Sequence, residues 1–114
     1  MDARDLTAAE VALARRVITD ALTEARDRAE RLGAGRRRNQ VHQWLTAWST
    51  RGDLDEQALP VVLRFAVREQ GALVDRIMRG RPVDQADLDA ARHKVDVVRA
   101  YLRRVEPPAP RRGE

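Results

Sequence analysis

The sequence predicts an all-α fold, a bundle of four or five helices in a single domain. Three observations carry that expectation. Apolar residues recur at three- and four-residue steps along most of the chain. No stretch alternates with the period of two that a half-buried strand requires. Two segments open with the same helix-starting device. A chain of 114 residues suits one core. The organisation read from it is an N-terminal tail over residues 1–6, a helical domain over 7–105, and a disordered Pro/Arg tail over 106–114.

The first helix starts at a capping box, Thr7 with Glu10, flanked by Leu6 and Val11 as a hydrophobic staple. Val11, Ala14, Ile18, Ala21, Ala25, Ala29 and Leu32 then form one apolar stripe, and Gly33 supplies the stop. In the second helix Val41, Trp44, Leu45 and Trp48 share a face, and Gly52 closes it. The acidic segment "DLDEQALP" forms a turn, with Pro60 in the first turn of the third helix, where its missing N–H costs little. Leu59, Val62, Leu63, Ala66, Val67, Leu73, Val74 and Ile77 predict a broad buried stripe ending near Gly80. Gly71 falls inside that helix and weakens it unless close packing demands it. The fourth helix opens at Asp84, with Asp87 at its third position and Val83 and Leu88 as the staple. Leu88, Ala91, Val95, Val98, Leu102 and Val105 follow as a heptad seam. The closing "EPPAPRRGE" cannot continue a helix.

Composition narrows the class. With no cysteine, disulfides and thiolate metal sites are excluded and a reducing cytoplasm fits. No apolar run approaches the roughly 18 residues of a membrane span, and "MDARDLTAAE" is too polar for a signal peptide. Lys94 is the only lysine among 22 basic residues, which suggests a GC-rich bacterial genome whose codon bias favours arginine. Net charge is +4, and its distribution is uneven. Residues 1–32 carry −1, residues 33–52 carry +4 with no acid at all, residues 53–80 carry −1 and residues 81–105 carry +2. A local basic patch of this kind points to an anionic partner.

Catalytic chemistry is poorly supplied. Ser49 is the single serine, His42 and His93 are the only histidines, and no nucleophile–base–orienter set can be assembled from their spacing. Asp89, His93 and Asp96 stand at i, i+4 and i+7, a spacing open to a metal but more in keeping with a solvated face opposite the seam. "GAG" before "RRR" lacks the lysine and hydroxyl ending of a phosphate loop. The expectation is a non-enzyme with no cofactor, no small-molecule substrate and no membrane partner.

The segment "GAGRRRNQVHQWLTAW" concentrates the remaining signal. Arg36, Arg37 and Arg38 lie at or just before a helix N-terminus, where positive charge is mildly unfavourable unless an anion is near. Arg36, Asn39, Gln40 and Gln43 form an acid-free polar row whose groups can donate and accept to the backbone or the base edges of RNA or DNA. The competing reading places the same arginines at the C-terminal end of the first helix, where positive charge is favoured. Trp44 is expected in the core, and Trp48 is open between the core and stacking on bases. The fourth helix adds Arg92, Lys94, Arg99, Arg103 and Arg104, which would extend the basic face if that helix packed beside the second.

The run Asp96-Val97-Val98-Arg99-Ala100-Tyr101, with "RRRNQVHQWL" and "VVLRFAVREQ" upstream, resembles the small helical subunit of CRISPR effector complexes, type III above all, over residues 34–105. The resemblance implies a non-catalytic subunit that lines a guide–target duplex in several copies, with Arg36, Arg37, Arg38 and Arg64 on the nucleic-acid backbone. Here the arginine triplet stands where that family has a Thr/Ser-rich lead-in. The alternative function is a homo-oligomeric interaction or adaptor module that pairs through the heptad seam with itself or other subunits, without nucleic acid.

Overall fold

The computed structural model describes residues 5–105, with side chains to Arg103. Four long helices and no strand make up the described chain: α1 (Ala8–Arg31), α2 (Gly35–Arg51), α3 (Leu59–Met78) and α4 (Gln85–Val105). A 3-10 turn, Glu56–Ala58, leads into α3. The domain is all-α.

Each boundary has a local cause. Thr7 Oγ1 accepts from Glu10 N–H at 3.1 Å and Glu10 Oε1 accepts from Thr7 N–H at 3.0 Å, so the capping box closes reciprocally. Gly33, Gly52 and Gly80 have φ near +70°, the left-handed conformation that lets the chain leave α1, α2 and α3. Asp84 Oδ1 accepts from Ala86 N–H at 2.9 Å and starts α4. Asp55 accepts from Gln57 N–H at 2.8 Å and starts the 3-10 turn, and Pro60 sits in the first turn of α3.

Helices α1 and α2 form an antiparallel hairpin, and α3 and α4 a second one. The second hairpin packs on α1, which touches all three other helices. Ile18 and Leu22 of α1, Val41 of α2, Val62 of α3 and Val97 and Val98 of α4 are fully buried where these faces meet. Each such side chain contributes roughly 1.5–3 kcal/mol of transfer free energy. Glu69–Lys94 ties α3 to α4, and Glu10–His93 ties α1 to α4.

Both tryptophans belong to the core. Trp44 is 5% and Trp48 3% exposed. Trp48 Nε1–H donates to Thr19 Oγ1 at 3.1 Å, and its ring meets Tyr101 edge-on at 6.4 Å. Base stacking on Trp48 is thereby excluded in this fold. The α4 seam is buried from Leu88 through Leu102, so its apolar positions are taken up within the chain; the Val105 side chain lies outside the described residues. Residues 1–4 and 106–114, which include most of the two tails read from the sequence, also lie outside them. Leu6, assigned to the N-terminal tail and also to the staple, packs half-buried against the core.

One expectation fails. The stripe read along the third helix is buried only at Val62 and Ala66, while Val74 and Ile77 are 41% and 46% exposed, with Met78 at 81%. Helical period identifies an apolar face, but burial needs a second element over it. Among the described residues none covers the last turns of α3 on that side.

Candidate nucleic-acid interface

Helix α2 begins at Gly35, so Arg36, Arg37 and Arg38 occupy its second to fourth positions. Ala34 precedes it with no side-chain cap, and no acid stands in the first turn. Among the described residues the first N–H groups of α2 are therefore served by no side chain, and the positive end of the helix dipole is joined by three cations. Arg36 is exposed and forms no ion pair or hydrogen bond among the described residues. Arg37 is held in place: its Nη1 donates to Gln40 Oε1 at 2.8 Å, and its guanidinium lies 5.1 Å from the centroid of Trp44. Arg38 donates to Asn39 Oδ1 at 3.4 Å.

The rest of the polar row is arranged behind these arginines. Asn39 and Gln43 are exposed, whereas Gln40 is half-buried and donates to Gln57 Oε1 at 3.2 Å, tying the row to the 3-10 turn. Gln40 is thus spent largely on structure.

Beside the row, α1, the start of α2 and α3 enclose a cleft of about 360 Å³. Its floor is apolar. Ala21, Ala25 and Ala29 of α1 face Val61 and Phe65 of α3 across a space that their short side chains leave unfilled. Its rim is basic: Arg28 from α1, Arg37 from α2, and Arg64 and Arg68 from α3. The single acid among the lining residues is Glu24, which Arg68 engages at 2.7 Å while covering the Phe65 ring at 4.9 Å. Arg28 and Arg64 form no ion pair among the described residues.

Of the nine residues singled out in the sequence, the structure brings Arg37 and Arg64 into this one cleft, with Arg36, Arg38, Asn39, Gln40 and Gln43 on the adjoining helix. Arg99 and Arg103 are exposed on α4 and do not line it. Helix α2 packs chiefly on α1, so the basic faces of α2 and α4 do not merge into the groove that their adjacency would have produced. Arg28 and Arg68 were not legible as partners of the arginine triplet. The i, i+4 spacing of Arg64 and Arg68 was the available signal, and only the packing of α3 on α1 gives it meaning.

Among the described residues no group of three or more His, Asp and Glu is placed to hold a metal, and His93 is instead 3.2 Å from Glu10. No described helix is long and apolar enough to cross a membrane. The Glu10 carboxyl is held below its ordinary value, chiefly by the hydrogen bond from Thr7 N–H and against the opposing effect of desolvation; the Thr7 hydroxyl and His93 add smaller contributions. That shift belongs to a helix cap, not to a reactive site. No protein-family model, curated protein or solved structure matches the chain.

Proposed function

We propose that the protein is a non-catalytic subunit that binds the backbone of RNA or DNA through the start of α2 and the basic rim beside it, within a larger cytoplasmic assembly. The observation that carries this reading is the grouping of Arg28, Arg37 and Arg64 around one opening, with Arg36 beside it at the start of α2, none of the four paired with an acid among the described residues. Charge of one sign without internal neutralisation attracts a polyanion, and guanidinium forks fit phosphate oxygens. The free N–H groups at the start of α2 favour an anion in the same place. A CRISPR effector small subunit, which the sequence resembles, is a role of this kind, and its arginine positions would be Arg36, Arg37, Arg38 and Arg64.

The test is a variant with Arg36, Arg37 and Arg38 all changed to Gln, compared with wild type by fluorescence anisotropy on labelled oligonucleotides at two salt concentrations. Affinity should fall, and the single-strand dependence of log K on log salt should lose about 2 units of slope for three contacts. Unchanged binding in a variant of unchanged melting temperature sinks the reading.

A second reading, self-association, is favoured by one observation: Val74, Ile77 and Met78 are exposed together at i, i+3 and i+4 on the last turns of α3. The α4 seam cannot serve this purpose, being internal, so a second copy would pair through the end of α3. Light scattering of wild type and Ile77→Asp separates the cases. A dimer that the substitution dissociates, in a protein without oligonucleotide affinity, favours self-association.

A further inference from the structure

We propose that the cleft between α1 and α3 receives an unpaired nucleobase, so that the protein prefers single strands to duplexes. The inference rests on the nucleic-acid reading above and names what the cleft itself takes. A surface that touches only phosphates needs no cavity. Here a cavity of about 360 Å³ opens directly behind the arginines, and that volume lies within the usual range for small-molecule sites. Its floor offers methyl groups and the half-buried Phe65 ring, and its rim offers guanidinium planes. Bases in single strands are bound by stacking on aromatic rings and on arginine planes, while flanking phosphates meet positive charge.

The supporting groups are held. Arg68 is fixed over Phe65 by Glu24, and Arg37 is fixed over Trp44 and by Gln40. Arg28 and Arg64 have no such tether among the described residues and are left for the phosphates on either side of the base. A paired base would have to leave its stack to enter, at a cost that a single strand does not meet. No Asn, Gln, Ser, Thr or His lines the cleft, and of its base-reading groups Arg68 and Glu24 engage each other and Arg37 engages Gln40, so little sequence preference is expected. An acidic protein segment with one apolar residue is the rival occupant. The acid-free run of Arg36 and Arg38 beside the cleft favours a ligand whose charge repeats along its length, which a nucleic-acid strand has by construction.

The experiment uses the full chain and an oligothymidine of about 12 nucleotides carrying one central 2-aminopurine, with its duplex for comparison. Wild type should bind the single strand about tenfold more tightly than the duplex at equal salt, and the 2-aminopurine emission should change on binding. Ala25→Phe fills the cleft without altering charge. It should bring the two affinities together and remove the emission change while leaving the salt slope intact. Phe65→Leu gives the same comparison with the ring alone removed, and circular dichroism melts identify folded variants. Folded Ala25→Phe and Phe65→Leu proteins that keep both the preference and the emission change overturn the cleft assignment but leave backbone binding standing. A wild type that binds neither strand overturns both. Tighter binding of a glutamate-rich peptide with one central tryptophan, lost in Ala25→Phe, assigns the cleft to a protein partner and overturns the proposal.

Discussion

Replacing Arg36 with Glu should make the protein more stable and a poorer ligand for nucleic acid at once. Arg36 stands at the second position of α2, beside a dipole end that no acid among the described residues balances, and it forms no hydrogen bond or ion pair with any of them that the substitution would remove. Arginine and glutamate have similar helix propensity, so the backbone term is close to zero. A charge near a helix end is worth roughly 0.3–1 kcal/mol, and reversing its sign both removes a penalty and adds a benefit. The expected gain is about 1 kcal/mol at low ionic strength, or a rise of about 5 °C in melting temperature for a domain of this size. Circular dichroism melts should show that gain shrink as salt is added, because the dipole effect is screened. Anisotropy titrations should show about tenfold weaker single-strand binding and a salt slope shallower by about 0.7. Arg16→Glu, exposed on α1 and outside the cleft, is the control and should leave the slope unchanged. Lower stability in Arg36→Glu would refute the placement of this side chain at the α2 start. A stabilised variant with an unaltered slope would refute the nucleic-acid role of the row.

Gly71→Ala should stabilise the protein by about 0.5–1 kcal/mol in urea unfolding, because Gly71 is exposed inside α3 and nothing lies within 4 Å of an added Cβ. Trp48→Phe should lower the urea midpoint by the equivalent of about 2 kcal/mol with an unchanged m-value, since it removes the hydrogen bond to Thr19 and part of a buried ring. Stability should decline as pH falls below 4.5, because the lowered folded-state value of Glu10 contributes stability above the unfolded-state value and loses it on protonation. Glu10→Gln should flatten that part of the urea-midpoint profile.

Much of the fold was legible because its signals are local. The Thr7–Glu10 box, the Asp84 cap and the three left-handed glycines depend on neighbours within a few residues, and each stands where the sequence put it. The two tryptophans were assignable to the core side by their shared period with Val41, although Trp48 needed Thr19 and Tyr101, which are distant in sequence, to decide it. The exposure of Val74 and Ile77 was not legible, since periodicity is a property of one helix and coverage is a property of two. The cleft was half legible for the same reason. Arg36 to Arg38 announce themselves as a run, but Arg28, Arg64 and Arg68 become their neighbours only when α3 lies along α1.

Local preference and global fold agree along most of this chain, which makes the disagreements informative. At the start of α2 an Asp or Ser in place of Ala34 and an acid in place of Arg36 would each suit the helix better. An anion bound there would supply both the missing acceptors and the missing negative charge, so occupancy and helix stability are linked. By mass action, a single-strand oligonucleotide at a hundred times its dissociation constant should raise unfolding free energy by about 2.7 kcal/mol. In Arg36→Glu the same concentration should give a smaller rise, because binding is weaker and the glutamate already balances part of the dipole. Equal ligand-induced shifts in the two proteins would show that the unfavourable start of α2 and the binding site are separate features.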